Sequence, residues 1–410
     1  MLTERLYQKN VYQKTAGATV RSAEGKDGKT IVCLDRTIFF PTGGGQSCDT
    51  GTLDGFAVSE VYEYEDDIYH VISSPDAGPA LETLTAGREV ALAIDWNRRF
   101  DNMQRHCGEH ILSGIFFDLC GGVNRGFHMG DAYMTIDISL EEDPSITTLT
   151  WDMAEEAEAR TNQVIWQNLP VVTRRFATRE EAEGLPLRKR LSIDRDISIV
   201  SIGSTDHPTD CVACCGTHPS HTGQVGLLKI YKVEANKGMF RIYFEAGQRA
   251  FRHYQQHFHT LTALGRELSA GADDVLPKYL AQQQRQRDTR DRLYHLTQAE
   301  IEREAQALRL LPGEQLAIGR FSILTVEDLQ DLSKRLAGSM PRLLVLVQEQ
   351  EHTVLLFSEE DTISCGQLVK QYAQPWGGKG GGSPKAARAK FSDATSVEQF
   401  LTALQTALTH

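Results

Sequence analysis

No stretch of this sequence is apolar over the length needed to cross a membrane, and its first residues, MLTERLYQKNVYQK, carry charges where a secretory signal needs an apolar core. A cytoplasmic location is the expectation. Cationic excess is missing as well: Lys and Arg number 43 against 55 Asp and Glu, a formal net charge of −12. That excludes a protein that coats nucleic acid by wholesale neutralisation of phosphates, although a local basic site remains compatible with it. Cysteine is sparse, with 8 in 410 residues, and in a reducing compartment these read as core residues or metal ligands rather than a disulfide framework. With 40% apolar and 24% charged residues, neither disorder nor a fibrous repeat is indicated. At roughly 150 residues per domain, the length suggests two or three domains.

The order of texture along the chain predicts an α+β protein in four parts. Residues 1–95 are β-rich, with short runs such as TIVCLDRTIFF, GFAVSEVYEYEDDIYHVI and EVALAID between Gly, Asp and Pro, and predict an N-terminal β-barrel. Between the first two runs lies Pro41-Thr42-Gly43-Gly44-Gly45-Gln46, whose glycines permit a sharp turn and close approach of backbone to a ligand; a plain hairpin turn is the simpler reading. Residues 96–247 alternate helix-like and strand-like segments, beginning with NRRFDNMQRHCGEHILSGIFFDL, where Phe100, Met103, Ile111, Leu112 and Ile115 recur at helical spacing. Residues 248–310 carry a stripe of Phe251, Tyr254, Phe258, Leu261, Leu264 and Leu268 and then a long charged segment, which predicts a helical hairpin or arm. Residues 311–410 suit a small α/β domain containing QLVKQYAQPWGGKGGGSPKAARAKF. From Thr362 to Ser392 there is no Asp or Glu, while Lys379, Lys385 and Arg388 fall there, making a Gly-rich basic island suited to phosphate or RNA.

Two clusters carry metal chemistry. His106 and His110 are four residues apart on a predicted helix, so their imidazoles share a face. Much later comes Asp210-Cys211-Val212-Ala213-Cys214-Cys215-Gly216-Thr217-His218, in which Cys214 and His218 are again four apart. Alone, either pair is as well explained by a core or surface role. Together they supply three imidazoles and one thiolate, the softness and number that favour tetrahedral zinc. Cys211 and Cys215 remain alternatives to Cys214, and His221 to His218. Four protein donors close a zinc site, whereas hydrolytic sites keep a position for water. Expanded coordination, one loose ligand, or a zinc that only positions substrate are the three ways to reconcile them.

These motifs resemble those of the alanyl-tRNA editing family (AlaX) and the editing domain of alanyl-tRNA synthetase. The likeness extends to TIFFPTGGGQ, TREEAEGLPLRK and CCGTHPSHTGQVGLLKI, and PWGGKGGGSPKAA is similar to the C-terminal domain shared by alanyl-tRNA synthetases and DHH phosphoesterases. It covers nearly the whole chain in the arrangement of the long free-standing form, without a counterpart of the aminoacylation domain. The resemblance therefore implies a protein that edits tRNA and does not charge it. It further implies Zn2+ held by His106, His110, Cys214 and His218, with Gly43, Gly44, Gly45 and Gln46 near the pocket. Two departures are visible: the common HTATH reads His106-Cys107-Gly108-Glu109-His110, and the first glycine of CGGTH is Cys215.

The implied reaction is hydrolysis of the ester joining a wrong amino acid, serine or glycine, to alanine tRNA. Glu109 is the candidate base for a water at zinc; an exposed carboxylate or a partner of a metal-bound histidine is the alternative. Arg98, Arg99 and Arg105 are candidates for acceptor-end phosphates, with solvated flanking charges as the plainer reading; Arg188, Lys189 and Arg190 form a second such cluster. The C-terminal domain is expected to hold the tRNA or to make a homodimer. Two rivals remain. His106-x-x-Glu109-His110 also matches inverted zinc peptidases, which take a downstream carboxylate as third ligand. A tRNA-binding protein with purely structural zinc is the other.

Overall fold

The computed structural model describes residues 2–142, 145–309 and 315–409. They form two compact units, Met1–Leu261 and Thr262–His410. The division expected at 310/311 lies outside the described residues.

The first unit opens with β1 (Glu4–Arg5), β2 (Thr15–Lys26), β3 (Lys29–Leu34), β4 (Arg36–Thr37), β5 (Gly51–Leu53), β6 (Phe56–Tyr64), β7 (Asp67–Ile72), a short helix α1 (Ala77–Thr83) and β8 (Glu89–Ile94). Strands pair in the order β2-β3-β7-β6-β5-β8, and the ring closes because β8 also pairs with β2. Closure leaves no unpaired edge. Alternation along the strands sends Val20, Val32, Leu34, Val58, Val61, Ile68, Ile72 and Leu92 into one apolar core. The PTGGGQ segment lies between β4 and β5 as a tight turn, Gly43 and Gln46 exchanging backbone hydrogen bonds of 3.1 and 3.0 Å.

Helix α2 (Trp96–Cys120) follows directly. Asp95 caps it by accepting from the Arg98 amide, and Gly121, at φ 62°, ends it in the left-handed conformation. Met103, Ile111, Leu112 and Phe116 are fully buried, but so are polar residues around the rest of the helix, because α2 is covered on every side. Small residues allow this. A β-carbon at Gly114 would sit 2.1 Å from the Thr209 carbonyl oxygen.

Next come β9 (Val123–Met129), β10 (Met134–Ser139), α3 (Trp151–Trp166), β11 (Val171–Thr178), α4 (Arg179–Ala182), β12 (Arg195–Gly203), β13 (Pro208–Ala213), β14 (Leu228–Asn236) and β15 (Met239–Ala246). They make a four-stranded sheet, β14-β15-β10-β9, and a three-stranded one, β11-β12-β13, with α2 and α3 packed into the shared apolar core. Helix α5 (Gly247–Leu268) carries the predicted stripe, yet Phe251, Tyr254 and Leu264 on it are about half exposed or more, at 50%, 59% and 49%. The periodicity identifies the helix and not a partner for it.

The second unit contains α6 (Val275–Arg309), β16 (Leu316–Phe321), α7 (Val326–Arg335), β17 (Leu343–Gln348), β18 (Thr353–Phe357), α8 (Cys365–Tyr372), β19 (Lys379–Gly382), β20 (Ala386–Lys390) and α9 (Ala394–Thr409). Its sheet runs β16-β17-β18-β20-β19, parallel only at the first pair. Gly-rich β19 is the edge strand, with Lys379 opposite Lys390 and Gly381 opposite Arg388. Lys379, Lys385 and Arg388 are all exposed. No described helix is long and apolar enough to cross a membrane.

Candidate metal centre

The fold brings His106 and His110 on α2 to the loop that follows β13, where Cys214 and His218 lie. The four donor atoms all fall within 4.8 Å of one another. His106 Nε2 is 3.5 Å from Cys214 Sγ, and His218 Nε2 is 3.8 Å from it. The competing donors are elsewhere. Strand alternation turns Cys211 into the core beside Ser201 at 3.2 Å, Cys215 is exposed, and His221 bonds the Ser220 hydroxyl at 3.1 Å.

Two of the rings are aimed by their outer nitrogens. His106 Nδ1–H donates to Gln46 Oε1 at 3.0 Å, and that amide also bonds the Thr217 amide and hydroxyl at 3.0 and 2.9 Å. His110 Nδ1–H donates to Asp210 Oδ2 at 2.7 Å, and Asp210 is itself held by Arg188 at 2.5 Å. Such outer partners fix ring orientation and raise ligand basicity. His218 Nδ1 is buried without a partner among the described residues. Burial pushes the Cys214 thiol up, but His106, His218 and His110 outweigh it and hold the thiol well below its ordinary value. Burial lowers His218 to about 4, so it stays neutral. Burial opposes charge on His110 too, yet Cys214 and Asp210 raise it well above the ordinary value. Three imidazoles and a thiolate, with His106 and His110 oriented from behind, fit a zinc ion.

If Asp210 aims His110, Asp210→Asn should weaken metal binding by about 10- to 100-fold while leaving all four donors in place. Competition with a chromogenic chelator measures this. Unchanged retention would remove Asp210 from the site.

A cavity of about 450 Å³ opens on the cluster, lined among others by Gly44, His106, Glu109, His110, Phe127 and Cys214. A wider groove of about 940 Å³ along β2, β5 and β8 shares no lining residue with it. Gly44 packs near Cys215 and Gly45 against Phe127, and Phe127 stacks on His106 with centroids 5.4 Å apart. Glu109 is neither exposed nor bonded to a ligand histidine: its Oε1 accepts from Ser113 at 2.6 Å and Asn124 at 2.8 Å. The downstream carboxylate that a peptidase of the H-x-x-E-H type requires is not among the converging groups, whose later members are Cys214 and His218.

The arginines before the histidines must be corrected. Arg99 is fully buried and gives its donors to Asp49, Val11 and Ile38. Arg105 is 2% exposed and bonds Glu245 at 2.7 Å and the Gly130 carbonyl at 2.6 Å. Both hold the fold and neither can face a phosphate. Arg98 is half-buried and gives Nε to the Cys48 carbonyl. Cations at the cavity come instead from Arg5, Arg125, Arg175, Arg188 and Lys189. These are scattered over several strands and a loop, so only Arg188 and Lys189 stood out as a sequence cluster.

Residues 197–243 match the threonyl and alanyl tRNA synthetase second additional domain, and residues 313–410 match the DHHA1 domain. The chain is 28% identical to the alanyl-tRNA editing protein AlaX-L of Pyrococcus horikoshii, over 100% of this chain and 99% of that protein. It is 30% identical to the alanine–tRNA ligase of Pyrobaculum calidifontis over 99% of this chain, but spans only 44% of that ligase. From its first strands to its DHHA1 domain, the chain carries the resemblance to the long-form alanyl-tRNA editing proteins that its motifs suggested.

Proposed function

We propose that this protein is a trans-acting hydrolase that removes serine, and also glycine, from mischarged alanine tRNA in the cytoplasm. The observation that carries the reading is the three-histidine, one-cysteine cluster, of which His106, His110 and Cys214 line a cavity of about 450 Å³. That size suits an amino acid and the ribose bearing it. Zinc held by His106, His110, Cys214 and His218 would supply a Lewis acid for the ester carbonyl or for a water. Gln46 and Asp210 keep His106 and His110 turned inward. Arg125, Arg175 and Lys189 at the cavity offer charge to the phosphates of the acceptor end. In the second unit, the exposed Lys379, Lys385 and Arg388 offer a further RNA contact, with homodimerisation as the alternative use of that domain. Selectivity against correctly charged alanine rests on a polar group that pairs with the serine hydroxyl.

Deacylation of serine-, glycine- and alanine-charged alanine tRNA by the intact protein, with and without chelator, tests the reading. Serine should be released at least ~10-fold faster than alanine, and chelation should abolish both. Equal rates would sink the specificity. The four-donor set also favours a second reading, a closed structural zinc in a tRNA-binding protein. In that case saturating protein would protect the mischarged tRNA instead of deacylating it.

A further inference from the structure

Glu109 is 5% exposed and lines the same cavity as the metal-ligand candidates. Both of its hydrogen-bond donors, Ser113 and Asn124, converge on Oε1, and no described residue donates to Oε2. Ser113 and Asn124 are themselves buried and bonded to each other at 3.0 Å, so Oε1 is held in place. A buried anion with one oxygen to which no described residue donates is an unusual object beside a metal cluster. It has no ion pair among the described residues, although five cations line the cavity against two carboxylates, Glu109 and Asp196. Arg188 is already committed to Asp210 and Arg125 to Glu141.

The charges facing the cavity set a requirement. Arg5, Arg125, Arg175, Arg188 and Lys189 suit the phosphates of a nucleic acid, but an aminoacyl ester also carries a cationic α-ammonium group at neutral pH. Placing that group near a divalent ion and these cations is unfavourable in a low-dielectric cavity unless an anion receives it. Asp196 is exposed, whereas Glu109 sits on α2 between the two histidines. We infer that Glu109 Oε2 receives the α-ammonium group of the esterified amino acid, making Glu109 a substrate-binding residue rather than the proton acceptor for the attacking water. The inference rests on the deacylase reading above. It makes the pocket bipolar, with cations for the nucleotide and one anion for the amino acid.

The test compares seryl- and N-acetylseryl-alanine tRNA, which differ at the α-nitrogen, a cationic ammonium in the first and a neutral acetamide in the second, with the intact protein and Glu109→Gln. A charged hydrogen bond of ordinary strength predicts that the intact protein favours the free amine by about 10- to 100-fold. Glu109→Gln should lose that preference through a slower rate on the free amine, with the acetylated substrate hydrolysed as before. Equal loss on both substrates would overturn the inference in favour of proton transfer or structural support. No preference in the intact protein would overturn it outright. If neither substrate is hydrolysed, the deacylase reading fails, and binding decides Glu109 separately. Seryl-3′-amino-3′-deoxyadenosine, a stable amide, should bind about 10- to 100-fold more tightly than its N-acetyl form, and only with Glu109 present. Equal affinities would overturn it.

Discussion

Arg99→Ala should destabilise the first unit by about 3–5 kcal/mol. Arg99 and Asp49 are both completely buried, and the guanidinium spends every nitrogen: Nε on Asp49, Nη1 on the Val11 carbonyl, Nη2 on the Ile38 carbonyl and on Asp49. Asp49 in turn accepts from the Phe40 amide at 2.6 Å. Truncating the arginine strands a carboxylate in the apolar interior and frees two backbone carbonyls, which is why the cost exceeds that of losing an attraction alone. Arg88 and Asp54 make an exposed pair for comparison, 45% and 27% accessible, and Arg88→Ala should cost no more than about 1 kcal/mol. Hydrogen exchange at the barrel strands during urea denaturation separates the two. Similar shifts for both variants would mean that the buried pair has no special weight.

Gly216→Ala should empty the metal centre as thoroughly as His110→Ala does, although it removes no donor atom. A β-carbon at Gly216 would lie 2.2 Å from His106 Cε1 and 2.3 Å from His106 Nδ1, with Gln46 Oε1 at 2.9 Å. The ring cannot yield without breaking its bond to Gln46, and Phe127 stacks on it. Loss of zinc affinity on the order of 100-fold follows, at the upper end of what disturbing a ligand's surroundings costs. On the deacylase proposal, hydrolysis of serine-charged alanine tRNA should fall with it. Elemental analysis of the purified variants and the deacylation assay give the result. A Gly216→Ala protein that retains full zinc and activity would contradict the close packing of the loop on His106.

How legible these features were in the sequence depends on their range. His106, His110, Cys214 and His218 could be picked out because regular spacing on a helix and in a loop repeats a chemical type, and α2 itself was marked by Met103, Ile111, Leu112 and Ile115. Gln46 and Asp210 were visible as members of motifs, but not as the groups that aim two rings, since each reaches its histidine across 60 and 100 residues of chain. Arg99 and Arg105 misled for the opposite reason. Local context before a histidine helix suggests a solvated basic patch, and only the distant Asp49 and Glu245 explain why both charges are buried. Ser113 lies four residues beyond Glu109 and was within reach of helical reasoning; Asn124, past the end of α2, was not. The apolar stripe of α5 shows a further limit, because periodicity reports a face and is silent on what covers it.

The turn that carries Gln46 belongs to the barrel, while the ring it bonds belongs to the helix beyond. A fragment starting at Trp96 would therefore keep all four donor atoms and still lack the amide oxygen that decides which tautomer His106 adopts. Excision along the apparent seam at residue 95 would leave a ligand set that is complete in composition and undecided in protonation.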